Sequence, residues 1–404
     1  MQAVRFWAGG LLWAVVAGSC GHSGSLPARD AAAPVGDADS RPGADDGAGS
    51  ADSRRQEVAG FDVAAVRDTA SSACIRPGCG FVMLAEGHDR PLAIVVAGDR
   101  VYWSDIGSAN IWSIPTSGGS AELVLADETV YGLASDETHL YFTGLASGRV
   151  GRVRLGVWGG PAETLLLSRS GAGPANLFGI TVTSAHLYVT NATDSGVFRL
   201  PKVGGPIETV MPGRDLNATT LALIQVGEIV SDGQQAAWYF YGDGLPSPPF
   251  HALMRANLVG GRAEAVLDSS YVSGVALHAG ELYFADQVRG TVYHVSRGPV
   301  AVAEPLAKSA GPPGDAGVFD PREQFFLGSL AADERHLYWL EVWQSSNSNQ
   351  RTGKLMRVPL SGGPAEVLYE STQFDQRLGG RVALAPDAVY LTVTAAGRVM
   401  RLPK

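Results

Sequence analysis

A two-part signature recurs along this chain and limits its fold more than any other feature. A tyrosine, usually with a second aromatic behind it, closes a β-like run: Tyr102-Trp103, Tyr141-Phe142, Tyr188, Tyr239-Phe240, Tyr283-Phe284, Tyr338-Trp339 and Tyr390. Successive tyrosines stand 39 to 55 residues apart. Downstream, Gly-Gly, two more residues and Glu or its equivalent recur at 118–122, 159–163, 204–208, 260–264 and 362–366. Stretches such as "LAIVVAGDRVYWSD" and "VYGLASDETHLYFT" give two strands around a polar turn, "NIWSIP" or "KLMRVP" a third, and "AELVLA" or "AEVLY" a fourth. Helical periodicity is weak throughout.

A unit that cannot bury both faces alone must stack on copies of itself. Four-stranded units of this length predict an all-β chain folded as a seven-bladed β-propeller of antiparallel blades. The last unit stops at "MRLPK" (400–404), which matches "FRLPK" (198–202) but lacks the Gly-Gly that should follow. Upstream of the first unit, "FVMLAEG" (81–87) resembles the fourth-strand text "ELVLADE" (122–128). An N-terminal strand is therefore expected to complete the last blade and remove the open edge. Gly-Gly suits a two-residue hairpin with positive φ. Pro161, Pro206 and Pro364 suit the start of an outer strand. Glu122, Glu163, Glu208, Glu264 and Glu366 place charge on that strand, and Arg154, Arg199, Arg255 and Arg357 stand five residues before a first glycine. Exposed diagonal Arg–Glu pairs are expected, as blade dressing rather than a site.

The first 73 residues have a different texture. Arg5 precedes an apolar run at 6–16 that is too short to span a bilayer. Residues 17–20 read Ala-Gly-Ser-Cys, which resembles the bacterial lipobox. The resemblance implies an export signal over 1–20 and lipidation of Cys20; the alternative is an ordinary secreted chain cut nearby. Residues 21–73, rich in Ala, Gly, Asp and Ser, read as a tether before a body at 74–404. In an oxidising compartment, Cys74 and Cys79 are expected to close a small disulfide loop. The formal charge of −9 argues against a nucleic-acid partner.

"VYWSD" (101–105) resembles the YWTD signature of low-density-lipoprotein-receptor propellers, with "LYFAD" (282–286) and "LYWLE" (337–341) as weaker copies. With "VPLSGG" (358–363) the chain is similar to exported bacterial propellers of the myxobacterial type. YWTD domains have six blades, and seven are counted here. That resemblance implies protein binding without catalysis, and structural aspartates that tie neighbouring blades.

Candidate chemistry is sparse. Asp105, Asp286 and Glu341 each follow a doublet tyrosine by three residues and are the candidate metal ligands; the competing reading makes them structural acids. His139, His186 and His336 precede "LY" in polar turns of different units and read as turn residues. Three long loops, 241–250, 308–326 and 341–353, are expected on one face, with Tyr241, Phe250, Phe325, Phe326, Trp343 and Phe374 partly exposed as candidate ligand contacts. No catalytic residue is assigned. G-x-S-x-G, H-E-x-x-H and P-loop motifs are absent from the sequence. The leading expectation is a monomeric, lipid-anchored binding or scaffold module of the cell envelope, periplasmic or cell-surface, for a protein, peptide or glycan, with no cofactor. The alternative is a metal-dependent hydrolase or lyase with a divalent cation in the central channel.

Overall fold

Tyr102-Trp103, Tyr141-Phe142, Tyr283-Phe284 and Tyr338-Trp339 are each split between two seams, because successive side chains of a strand point to opposite faces. Tyr102 packs toward the following blade with Val130, Leu140 and Phe142, whereas Trp103 packs toward the preceding one with Leu84, Ala388 and Val399. Tyr338 and Trp339 divide in the same way. Seven apolar clusters result, one between each pair of adjacent blades. The core is thus a ring of sandwiches, and the doublet recurs because each blade must fill two of them.

The structure is a computed structural model and describes residues 80–145, 147–167, 176–191, 196–211, 223–243, 250–258, 263–268, 272–296, 301–309, 324–344, 351–371 and 380–404. Cys20, Cys74, Cys79 and Phe374 lie outside the described residues, as do the expected signal and tether.

The chain enters through β1 (Val82–Ala85). Blade one is β2 (Pro91–Ala97), β3 (Arg100–Asp105), β4 (Asn110–Pro115) and β5 (Glu122–Leu125). Blade two is β6 (Val130–Ser135), β7 (His139–Gly144), β8 (Arg149–Arg154) and β9 (Glu163–Leu167). Blade three is β10 (Leu177–Val182), β11 (His186–Asn191), β12 (Gly196–Pro201) and β13 (Glu208–Met211). Blade four is β14 (Leu223–Ser231), β15 (Gln235–Asp243), β16 (Phe250–Asn257) and β17 (Glu264–Asp268). Blade five is β18 (Val272–His278), β19 (Glu281–Asp286), β20 (Thr291–Val295) and β21 (Ala303–Lys308). Blade six is β22 (Gln324–Ala332), β23 (His336–Gln344), β24 (Arg351–Pro359) and β25 (Glu366–Ser371). Blade seven is β26 (Val382–Leu384), β27 (Ala388–Val393) and β28 (Arg398–Pro403), with β1 as its outer strand. The fold is a seven-bladed β-propeller closed as the sequence predicts. Val82 lies opposite Arg401 and Met83 opposite Met400.

Two expectations need correction. The Gly-Gly turn is not a two-residue hairpin. Gly118, Gly204 and Gly362 each donate their N–H to the carbonyl of the proline three residues back, at 2.9 Å. Six residues separate the paired strands, for example between Pro201 and Glu208. Both glycines hold positive φ, 82° and 136° at Gly204 and Gly205. The Arg–Glu pairs lie directly opposite one another, as at Arg199 and Glu208, and the arginine is largely covered while the glutamate is exposed. In blade two a longer turn shifts the register, so Arg152 and not Arg154 meets Glu163. In blade one Arg100 reaches Glu122. Arg152 and Arg199 also donate to Lys202 O and Leu258 O of the following blade, at 2.8 and 3.2 Å.

The matching "FRLPK" and "MRLPK" also have a use. Lys202 bonds Asp136 of the preceding blade at 2.6 Å, and Lys404 bonds Asp333 at 2.8 Å. Each aspartate accepts its own blade's tyrosine hydroxyl, from Tyr141 at 2.9 Å and Tyr338 at 3.2 Å. Burial pushes the Asp333 carboxyl up, but Lys404 and the N–H groups of Arg335 and His336 outweigh it and hold it at about 2.

Toward the axis, six of the seven first strands, β26 excepted, carry a register shift against their second strand. In blades two, three and seven the residue two after the tyrosine is a threonine that ties the first strand to the next blade. Thr143 Oγ1 accepts Gly132 N at 3.1 Å and donates to Phe178 O of the next blade at 2.7 Å. Thr190 takes Gly179 N and donates to Gly227 O; Thr392 takes Arg381 N and donates to Leu92 O across the closing seam. The approach is so close that a Cβ on Gly132 would stand 2.5 Å from Phe178 O. Blade four differs. Its turn places Ala237 where the other blades have the doublet tyrosine, and Tyr239 at the threonine position. Tyr239 compensates by donating its hydroxyl to Ser273 O at 3.1 Å.

Candidate functional site

Turns from second to third strands and the connectors between blades share one face of the ring, and two blades rise above the rest there. β14, β15, β22, β23 and β24 have nine residues and β16 eight, against three to seven in the corresponding strands elsewhere. The surplus follows the doublet end of β15 and β23. Three extra residues add about 10 Å at a strand's rise of roughly 3.3 Å per residue. The expected loops 241–250 and 341–353 therefore begin and end in ladder: Tyr241 pairs His251, Phe250 pairs Gly242, and Trp343 pairs both Phe325 and Thr352. The expected 308–326 loop likewise ends in strand at Gln324.

The ladder sorts the predicted aromatics. Along β23, Leu337, Trp339 and Trp343 pack on the seam with blade five, whereas Tyr338, Leu340 and Val342 pack on the seam with blade seven. Trp343 is partly buried against the first cluster, and Phe326 partly buried against the second. They do not share a surface. Tyr241, Phe250 and Phe325 are placed here by their backbone positions in β15, β16 and β22.

Asp105 and Asp286 end the second strands of blades one and five, and Glu341 lies within that of blade six, each engaged locally. Asp105 Oδ2 accepts His88 Nδ1 at 3.1 Å and Asp89 N at 2.9 Å, from the connector that leads out of the closing blade. Asp286 binds Arg289 of its own turn, through N at 2.9 Å and the guanidinium at 2.6 Å. Glu341 accepts Trp339 Nε1 and, from the connector after blade five, Ser309 Oγ, both at 2.8 Å. Its carboxyl is pushed up by burial, against the opposing effect of these two bonds and the Lys354 charge. Asp105 and Glu341 thus tie connectors between blades, and Asp286 ties a single turn. Among the described residues, no three His, Cys, Asp or Glu side chains gather closely enough to hold a metal ion. His139 and His336 begin the second strands of blades two and six, on the opposite face. Burial first, then Arg152 and Arg357 respectively, lower their basicity.

The channel is lined by residues that sequence reasoning passed over. Glu228, in the bulge of β14, forms an ion pair with Arg381, just ahead of β26. These are first-strand positions of blades four and seven, nearly opposite in the ring, so the pair bridges the axis. Each side chain is 21% exposed. Over blades one to three, Leu92, Ile106 and Tyr131 form a separate apolar cluster with Leu145 and Phe178. Tyr131 and Phe178 stand 5.5 Å apart, and burial pushes the Tyr131 phenol up to about 12. The register shows what sequence reading missed: the first-strand position held by Gly132, Gly179 and Gly274 in other blades is held here by Glu228 and Arg381.

No family model and no curated protein matches the chain. Among solved structures, the WD40 β-propeller domain of Doa1 aligns with a TM-score of 0.52 at 10% identity, over 80% of this chain and 97% of that one. A chain of the nidogen/laminin complex gives 0.43 at 14% identity, over 65% and 89%. A gluconolactonase from Xanthomonas campestris gives 0.43 at 13%, over 80% and 89%. The likeness to the Doa1 domain, at 10% identity, is one of fold, and the fold is the propeller.

Proposed function

We propose that the protein is a non-enzymatic binding module that engages a protein or glycan with the raised face of blades four to six. The observation that carries this reading is the extension of β14–β16 and β22–β24 beyond the other blades. Extended hairpins add contact surface to a scaffold without adding to its core, and such projections are where recognition is placed. In this reading Trp343 is the anchor, a tryptophan partly packed on the scaffold beside polar chain. Lipidation of Cys20 holds the module at the envelope, and the Cys74–Cys79 disulfide precedes its first strand.

The alternative of a metal-dependent hydrolase or lyase needs carboxylates converging at the axis. The three acids are instead tied in three separate blades, and the channel's own glutamate is neutralised by Arg381. The test is a screen of the immobilised full chain against glycan arrays and envelope proteins. A ligand that binds the wild type and loses at least tenfold in affinity with Trp343→Ala, at unchanged Tm, supports the reading. A stoichiometric divalent ion whose chelation abolishes turnover of a substrate overturns it.

A further inference from the structure

Three buried polar atoms collect where the last blade meets the first. Trp103 Nε1, Trp112 Nε1 and Asp105 Oδ1 are sealed from solvent without a hydrogen-bond partner. Trp103 and Trp112 face each other across β3 and β4. Asp105 lies two residues beyond Trp103, on the same face of the strand. The His88 ring meets both indoles edge-on, at 5.0 and 5.4 Å, and occupies Asp105 Oδ2. Oδ1 is the oxygen left over.

Blade six holds the closed form of the same arrangement. Trp339 occupies the place of Trp103, and Glu341 that of Asp105. Glu341 Oε1 accepts the indole N–H at 2.8 Å, while Oε2 accepts Ser309 from the connector. Asp105 is one methylene shorter. Its Oδ2 is drawn to His88 and Asp89 in the connector, so Oδ1 falls short of the indole. Leaving a buried donor or acceptor unpaired is costly, and native interiors seldom tolerate it.

We propose that one ordered water fills this gap, donating to Asp105 Oδ1 and accepting the indole N–H of Trp103, with the Trp112 N–H as its further donor. The atoms select the ligand. A cation would meet two N–H groups positive end first, and an anion would meet a carboxylate. Water donates and accepts, and three partners lie within the usual two to four for an internal water. The site lies beneath the connector that carries the chain from the closing strand into blade one, where His88 N also donates to Gly397 O at 3.1 Å. Asp105 then binds the connector with one oxygen and the tryptophan pair, through water, with the other.

A high-resolution crystal structure of the full chain tests this directly. One water peak within hydrogen-bond distance of Asp105 Oδ1 and Trp103 Nε1 is expected. In the reciprocal variant Glu341→Asp, a second such water should appear beside Trp339, with Tm lowered by about 2–4 °C. Trp103→Phe, which keeps an aromatic ring but removes the pyrrole part with its N–H donor, should lose or displace the first water. Empty density with the Trp103 N–H aimed at the His88 ring face overturns the proposal. So does a metal ion at the site, identified by anomalous scattering, or an unhydrated blade six in Glu341→Asp.

Discussion

Thr143 makes two hydrogen bonds from one hydroxyl, one inside its blade and one into the next. Thr143→Val keeps the shape and β-branching but orphans the Gly132 N–H. A loss of about 1–3 kcal/mol is expected in chemical denaturation, whereas Thr138→Val, at an exposed turn, should cost well under 1 kcal/mol. A second residue-scale prediction concerns pH. The Glu341 carboxyl titrates above its ordinary 4.5, because burial disfavours the charge. The native state therefore holds this proton more tightly than the unfolded chain does. Its contribution is complete below about pH 4.5 and is lost as pH rises from there through the native value; each tenfold difference in proton affinity between the two states is worth ~1.4 kcal/mol. Glu341→Gln can still accept from Trp339 and engage Ser309, but it does not titrate. Its Tm relative to wild type should climb across that window and then level off; a pH-independent difference would refute the assignment. The sequence exposed the doublet tyrosines because they are large and periodic. It concealed the threonines behind them, since Thr in a strand reads as an ordinary β-branched residue and its partner lies 35 residues away at Phe178. It misplaced Arg154 because counting back from a glycine assumes equal turn lengths, and blade two lengthens its turn.

Among the elements, β1 has the most to answer for. It has four residues, it is far in sequence from its partner, and it supplies the fourth strand of blade seven. Leu84 and Ala85 also fill the seam against blade one, beside Trp103 and Val399. Substituting Leu84→Asp would force a charge into that seam. The expected outcome is loss of at least about 3 kcal/mol and protease sensitivity in blade seven before the rest of the ring. Val82→Asp, on the same strand but 43% exposed, should fold normally. Equal sensitivity of the two would show that β1 is not seated as described. This element was legible because "FVMLAEG" (81–87), upstream of the first unit, reads like the fourth-strand phrase "ELVLADE" (122–128). The raised hairpins were not, since "YGDGLPSPPF" and "EVWQSSNSNQRTG" are rich in the residues that elsewhere mark loops. Their first and last few residues continue an existing ladder, and a ladder begun in the core can extend through polar residues that would not start one.

Across the whole molecule, adjacent blades are joined by sandwiches of side chains, each of which sees only its neighbours. A ring so built resists local shear well and distortion of its aperture poorly, because no seam senses the diameter. The Glu228–Arg381 pair does, since it joins first strands of blades four and seven across the axis. Both groups keep some contact with solvent, so the attraction is weaker than that of a dry pair and stronger than that of a surface one. A double-mutant cycle with Glu228→Gln and Arg381→Met should return a coupling of about 1 kcal/mol. The coupling should shrink as salt is raised. Hydrogen exchange separates a brace from a local contact. If the pair holds the aperture, either single substitution should speed exchange in the first strands of blades four and seven together, β14 and β26, although neither substitution lies in both. Acceleration confined to the mutated blade, with zero coupling, would mean that the two charges merely meet in the channel and that the seven seams alone fix the ring.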